Sequence, residues 1–356
     1  MQLSDFDYRL PEELIAQWPL EDRAASRMLV LDRARQGWED RLFREFPRFL
    51  GPGDCVALND SKVFPSRLYG RRAGVRALRV GKKNPARRRH LTGTVEVFLL
   101  RPQAGDPKLW QALVHPGRKM RTGERVRFDG GLEAEIVGHG LWGERTLRFD
   151  CEGDLLEKFN QIGHVPLPPY IRRPDEPLDR ERYQTVFAAH PGSVAAPTAG
   201  LHFTAEILEQ CRAAGAEIAQ VTLHVGLGTF QPIRTPQVEE HRLHPELFEI
   251  TESNALKLRA ASRLVAVGTT SVRTIESAVR SPQGLSAWRG ETDLYIYPGF
   301  EFLATGALLT NFHLPRSSLL LLVCAFAGKD LALAAYRHAV ESRYRFYSYG
   351  DCMLIL

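Results

Sequence analysis

Four apolar runs in this chain each end in a polar turn, and that repeated pattern limits the folds open to it. The run at 55–58 stops at Asn59-Asp60-Ser61-Lys62, and a strand predicted over 217–225 merges into His224-Val-Gly-Leu-Gly-Thr-Phe230. The run at 263–267 meets Gly268-Thr-Thr-Ser-Val-Arg273, and that at 307–310 meets Asn311-Phe-His-Leu-Pro315. Helical spacing predicts segments over 254–261, 272–279, 317–327 and 331–344. Strands alternating with helices imply a mainly parallel sheet with both faces covered. In an open sheet of that kind, ligands collect at the carboxyl ends of the strands. The four turns are therefore expected to meet in one cleft.

A fifth turn belongs with them. Ser193-Val-Ala-Ala-Pro-Thr-Ala-Gly-Leu-His-Phe-Thr204 is too small and polar for a core strand. Its alanines and Gly200 let backbone approach a ligand closely. Thr204 is a good N-cap for the helix marked by Ile207, Leu208 and Cys211, and His202 lies near the positive end of that helix dipole. A surface turn carrying an incidental histidine is the alternative. At the N-terminus a short helix is expected near 11–17, a strand over 27–31 and an amphipathic helix over 40–50. A strand over 353–356 closes the chain.

Between 66 and 150 the texture changes. Alternating runs at 94–100, 110–114, 124–128, 132–137 and 144–149 are separated by turns such as 129–131 and 138–140. That spacing reads as a small antiparallel β-barrel inserted at 63–150 into an α/β domain made of 1–62 and 151–356. Charge marks the same segment. Residues 61–150 hold 20 Lys+Arg against 8 Asp+Glu, a net +12, leaving 27 against 34, a net −7, elsewhere. A basic module on an acidic chain is the footprint of a polyanionic partner. Seven of these basic residues lie in one run from Arg76 to Arg89, within a loop-like stretch at about 73–92.

Several classes are excluded. No apolar run approaches the ~20 residues of a membrane span. The N-terminus lacks a signal pattern, so the expected location is the cytoplasm, with a monomer as the default state. Five scattered cysteines give neither a disulfide framework nor a thiolate metal knot. His241 and His244 lack the metalloprotease order, so no metal is expected. Gly226-Leu-Gly228 is not a dinucleotide fingerprint, and no serine has a nucleophile elbow. The turn Gly268–Arg273 suits an anion, with free N–H groups at a helix start and an arginine in the first turn. The Pro-rich stretch Gly163-His-Val-Pro-Leu-Pro-Pro-Tyr-Ile-Arg172 suits base stacking by Tyr170 and phosphate contact by Arg172. An interdomain linker packed on the sheet is the alternative for that stretch.

Taken together, these blocks resemble the S-adenosylmethionine:tRNA ribosyltransferase-isomerase family of queuosine biosynthesis. The matching stretches include Asp5-Phe-Asp-Tyr-Arg-Leu-Pro11, Leu58-Asn-Asp-Ser-Lys-Val63, 163–172, Tyr183-Gln-Thr-Val-Phe187 and 195–204. They continue through 224–230, 268–273 and 311–315, in order along the chain. The basic run at 73–92 departs from the short connection usual in the family. The resemblance implies an α/β domain with an inserted barrel. It also implies a transferase that uses S-adenosylmethionine as ribosyl donor, with no other cofactor. The acceptor would be 7-aminomethyl-7-deazaguanine at the wobble position of a tRNA anticodon arm. The products would be epoxyqueuosine in tRNA, adenine and methionine.

Joining this to the residues makes His202, His224 and His313 the candidate bases. Asn59, Asp60 and Thr198 are candidates for adenine or ribose hydroxyls, and Arg273 for the methionine carboxylate. The remaining substrate-binding expectations lie in the matching stretches: Asp5, Tyr8, Tyr170, Arg172, Tyr183, Gln184, Pro197, Ala199, Gly200, Gly226, Gly228, Thr229, Thr269, Thr270, Ser271 and Asn311. The competing classes are a non-catalytic RNA-binding protein, a metal-dependent hydrolase and a conventional methyltransferase.

Overall fold

A computed structural model describes residues 1–73, 93–103, 105–140, 143–226 and 233–356. The basic stretch at 74–92 lies outside the described residues, as do Gly228 and Thr229. The chain forms two compact units, Met1–Lys62 with Pro168–Leu356, and Val63–Leu167.

The first unit is built on a nine-stranded sheet. Its order is Trp288–Thr292, Glu246–Ile250, Glu217–Leu223, Asp54–Asn59, Arg263–Val267, Thr305–Asn311, Cys352–Ile355, Arg27–Asp32 and Gly37–Leu42. The four strands from Glu217–Leu223 to Thr305–Asn311 run parallel, and antiparallel partners extend the sheet on both sides. The final strand, Cys352–Ile355, inserts between Thr305–Asn311, to which it is antiparallel, and Arg27–Asp32, to which it is parallel.

The central strands are apolar along their middles because both faces are covered. Cys55, Ala57 and Ala266 pack on one side with Val272, Ile275, Leu320 and Tyr336. Val56, Leu58, Val265 and Val267 pack on the other with Ile207, Cys211, Phe43 and Phe46. Continuous apolar strands of this kind are what a two-sided sheet requires. Among the described residues, no single helix is long and apolar enough to cross a membrane.

Two N-terminal expectations are corrected. Residues 40–50 are not an amphipathic helix. Gly37–Leu42 is an exposed edge strand paired with Arg27–Asp32, and Phe43–Phe49 is a 3-10 segment containing Pro47. Proline has no N–H for an α-helical ladder, and strand pairing outweighs local spacing here. Residues 11–17 form only a 3-10 turn at Glu12–Leu14.

The second unit is a closed six-stranded barrel in the order Glu144–Asp150, Asp106–His115, Thr94–Gln103, Arg67–Arg72, Arg125–Phe128 and Glu133–His139. All its pairings are antiparallel. Helix Leu155–Ile162, capped by Asp154, belongs to this unit. Its Phe159 meets Trp110 and Phe149 edge to face, with ring centroids 5.2 and 5.0 Å apart. Inside, Arg72 and Glu124 form a buried ion pair at 2.6 Å. Outside, Arg71, Arg118, Lys119, Arg121 and Arg148 are exposed.

Candidate functional site

Parallel strands bring their carboxyl ends to one edge, and side chains there tie the ends together. Asn59 ends its strand 1% exposed. Its Nδ2 donates to the Leu223 carbonyl at 3.0 Å and to Thr270 Oγ1 at 3.2 Å, and its Oδ1 accepts from the Ser61 and Leu223 amides. A carboxamide offers two donors and two acceptor lone pairs. All four are used, so Asn59 fastens the edge and has no hydrogen bond left for a nucleoside. The Gly268 amide donates to the Leu309 carbonyl at 2.7 Å, joining the next two strands.

Gly268 leads into helix Thr269–Val279 with φ 88° and ψ 152°. Side chains are strained in that region at a cost of about 1–3 kcal/mol. A Cβ there would meet only Thr270 Oγ1 at 3.6 Å and the Ala199 Cβ at 3.7 Å, so space is not the obstacle. Gly268→Ala is therefore expected to cost about 1–3 kcal/mol in urea unfolding through backbone strain alone. The same geometry sets Ala199 directly against the start of this helix. Thr270 and Ser271 turn inward. Thr270 accepts from Asn59, and the Ser271 hydroxyl donates to the Val267 carbonyl at 2.7 Å. Thr269 is 6% exposed.

The 193–204 turn is tied to the same edge. The Ser193 hydroxyl donates to the Ala195 carbonyl and accepts from the Val225 amide at 2.9 Å. Pro197 accepts from the Gly200 amide at 2.8 Å, which starts a 3-10 turn over Thr198–His202. A Cβ on Gly200 would lie 2.8 Å from Thr185 and Phe187, so only glycine fits. Thr204 caps the following helix at the Ile207 amide, as its sequence position predicts. Ala199, Gly226, Thr269 and His313 thus all follow strands, or pack on loops, at the same edge of one sheet.

The three histidines differ sharply. His202 is 3% exposed, with Nδ1 2.8 Å from Ser26 Oγ and its ring against Phe43. Burial holds its pKa down at about 4; the neighbouring Asn311 side chain opposes this, and Arg23 and Arg345 reinforce it. His313 is 8% exposed, with Nε2 2.8 Å from Thr310 Oγ1, and burial holds it at about 3. Its carbonyl accepts from Tyr8, and its amide donates to the Tyr336 hydroxyl at 3.1 Å. His224 is only half-buried. Its pKa is also lowered, first by burial and then by His190 and Arg289.

Arg273 does not stand ready for a carboxylate. Its guanidinium is 5% exposed and paired with Glu246, itself 5% exposed, and it also donates to the Leu294 and Thr292 carbonyls. The other Glu246 oxygen accepts from the Gly226 amide at 2.7 Å. Arg273 thus acts through Glu246 to hold the Gly226 turn. Asp60 is likewise engaged. It is 4% exposed and accepts from the Thr222 hydroxyl at 2.6 Å. Burial raises its pKa, against the lowering effects of Thr222 and His190.

Other expected residues have structural partners. Asp5 caps the first 3-10 turn by accepting from the Gln2 amide. Arg172 pairs with Glu12 in solvent. Tyr183 is buried against Tyr349, and the Gln184 carbonyl accepts from Arg23. The Tyr170 hydroxyl lies 2.6 Å from Ser348 Oγ, and its ring is 4.0 Å from that of Tyr347. Asn311 donates to the Tyr347 carbonyl at 2.9 Å. Among the described residues, no group of three His, Cys, Asp or Glu side chains is arranged to hold a metal. Glu246, two residues after His244, is engaged by Arg273.

Sequence reading missed two residues. Tyr347 holds φ 73°, unusual for a bulky side chain, and carries a buried hydroxyl with no hydrogen-bond partner among the described residues. His190 sits beside Asp60. Its one visible signal is position, between two of the recognised stretches.

The comparisons with known proteins agree along the whole chain. A family model described as queuosine biosynthesis protein matches residues 3–355. A protein of Solibacter usitatus named S-adenosylmethionine:tRNA ribosyltransferase-isomerase is 67% identical over 356 residues, covering all of both chains. One of the same name from Thermotoga petrophila is 49% identical over 360 residues, again covering both fully. The crystal structure of S-adenosylmethionine tRNA ribosyltransferase from Thermotoga maritima matches with a TM-score of 0.54 and 40% identity, covering 99% of this chain and 100% of that one.

Proposed function

The chain belongs to the S-adenosylmethionine:tRNA ribosyltransferase-isomerase family of queuosine biosynthesis, and from that premise we propose its substrates, products and base. It is an enzyme of that class. In our reading it transfers and isomerises the ribosyl moiety of S-adenosylmethionine onto 7-aminomethyl-7-deazaguanine at the tRNA wobble position. Epoxyqueuosine-tRNA, adenine and methionine are the products. The observation that carries this reading is the gathering of the Asn59, Ala199, Gly226, Gly268 and Asn311 turns at one sheet edge, in a chain matched end to end by the family. The exposed arginines of the basic barrel support the anticodon arm as the part of the tRNA engaged. We take the protein to act as a cytoplasmic monomer, with S-adenosylmethionine as co-substrate and no separate cofactor.

The sulfonium acidifies the ribose 5′ protons, so the first step needs a base. A good base has a pKa near the working pH and must reach its proton. His202 and His313, held at about 4 and 3, are weak bases sealed in packed surroundings. His224 is half-buried and, with its pKa lowered, neutral at pH 7. We therefore assign the base to His224, with His202 and His313 supporting the turns. Adenine then leaves, and the neutral amine of the modified base attacks the sugar fragment. With Arg273 neutralised by Glu246, the methionine carboxylate is left to the amides at the start of helix Thr269–Val279, beside Thr198 and Ala199.

Incubation with S-adenosylmethionine and tRNA carrying the 7-aminomethyl base is expected to release free adenine. His224→Ala is expected to slow that release by about 10²-fold or more. S-adenosylhomocysteine in place of adenine would identify a methyltransferase instead. Full rates in His202→Ala, His224→Ala and His313→Ala alike would remove histidine as the base.

A further inference from the structure

A base at the 5′ carbon is half of what this reaction needs. Adenine departs with the electron pair of its bond to the sugar, and it leaves readily only if a proton reaches it. The three histidines already considered all have lowered pKa values and lack that proton at neutral pH. The donor must be sought elsewhere on the same edge.

His190 opens the short strand His190–Ser193, with its side chain 59% exposed. Its Nε2 lies 3.6 Å from Asp60 Oδ2. The neighbouring backbone is fastened at the same place, because the Ala189 and His190 amides both donate to the Asp60 carbonyl, at 2.8 and 3.3 Å. Asp60 itself cannot turn away, since Thr222 holds its other oxygen at 2.6 Å. The strand then crosses His224. A Cβ on Gly192 would lie 2.9 Å from His224 Nδ1 and Cε1, so only glycine allows the imidazole to pack there. His190 is also near enough to His224 for its charge to act on that ring. Glu249, which pairs with Arg289 at 3.8 Å, is the remaining charge facing this group, with Arg289 itself.

We propose that His190, positioned by Asp60, is the general acid that protonates the departing adenine, and that it works as a pair with His224. This rests on the reaction assigned above. The Asp60 carboxylate lies beside the exposed His190, whereas His224 is half-buried with its pKa lowered first by burial and then by His190, so the two imidazoles stand in unlike surroundings and suit unlike roles. The protons balance. His224 takes a proton from the 5′ carbon, leaving the electron pair there beside the sulfonium. The bond from C1′ to the purine nitrogen breaks, both electrons go to adenine, and the His190 proton goes to that purine. His224 ends protonated and His190 neutral, and one proton passed between them restores the start.

The test is single-turnover adenine release across pH for wild type, His190→Ala, His190→Gln and Asp60→Asn. His190→Ala is expected to slow release about a hundredfold while leaving the KM for S-adenosylmethionine and tRNA within about twofold. The alkaline limb of the wild-type profile should disappear with it. Added imidazole should restore part of the rate to His190→Ala and none to His190→Gln, where the space is filled. Asp60→Asn, which keeps His190 but removes the carboxylate beside it, should slow release while leaving the KM for S-adenosylmethionine unchanged. His190 is mostly exposed, so its replacement leaves the core intact. A His190→Ala rate within threefold of wild type with the alkaline limb retained overturns the proposal. No adenine from the wild-type protein overturns the reaction reading instead, so the two failures are distinct.

Discussion

Arg273→Ala is expected to destabilise the protein by about 3–5 kcal/mol, because it strands a buried carboxylate. Arg273 and Glu246 are each 5% exposed, and the arginine also satisfies two carbonyls, Leu294 at 2.9 Å and Thr292 at 3.3 Å. Removing it leaves the carboxylate with the Gly226 amide but no opposite charge from Arg273. Arg273→Lys should recover little, since one ammonium cannot reproduce a fork that serves a carboxylate and two carbonyls. Arg273→Met combined with Glu246→Leu should regain much of the stability, as apolar replacements of buried pairs do. Activity should stay low in that double variant, because the Gly226 amide has lost its anchor. Urea unfolding beside adenine release checks all three. A loss under 1 kcal/mol in Arg273→Ala, with a raised KM for S-adenosylmethionine alone, would return Arg273 to the carboxylate-binding role its sequence position suggested.

That reversal shows what the sequence carried and what it did not. The strands at 54–59, 263–267 and 305–311 were legible because burial on both faces leaves an uninterrupted apolar run. Their polar turns were legible as neighbours because the edge they share follows from parallel topology alone. Thr204 was legible as a cap because its partner is local. Partners distant in sequence were not legible. Arg273 and Glu246 are 27 residues apart, and nothing local shows that one neutralises the other. Asn59 looks like a ligand-binding side chain until Ser61, Leu223 and Thr270 are seen to use all its hydrogen bonds. His190 gains meaning only from Asp60 and from the ring that Gly192 admits. The 40–50 segment was misread because spacing cannot show that Arg27–Asp32 needs an edge partner. The sequence reading also gave no hint that the last strand enters between two others.

The second large effect is on acid stability. Between pH 7 and pH 5 two buried imidazoles are expected to cost the protein about 4 kcal/mol, about 2 from each. His202 and His313 have folded pKa values of about 4 and 3, set first by burial, against an ordinary value near 6.5. Above 6.5 both are neutral in either state, and their contribution to stability is fully present. Below 6.5 the unfolded chain takes up protons that the folded chain refuses. Each histidine then costs about 1.4 kcal/mol per pH unit until its folded value is reached. His224 and His241, also lowered by burial, act in the same direction. Asp60 and Asp351, whose values burial raises, act oppositely, because the folded state takes their protons first. Their opposing contribution starts at their raised folded values and offsets part of the histidine loss, so the figure of about 4 kcal/mol is the share of the two imidazoles alone. Asp179 and Glu276 are lowered by their partners and lose stabilisation only below about pH 4.5. A typical domain has only about 5–15 kcal/mol in hand, so this loss is a large share of the whole. Urea midpoints at pH 7, 6 and 5 measure it. His202→Gln with His313→Gln should start less stable and show a much flatter pH dependence. Equal midpoints at pH 7 and pH 5 in the unsubstituted protein would mean that these two rings reach protons freely, and that they are not sealed beneath the turns they support.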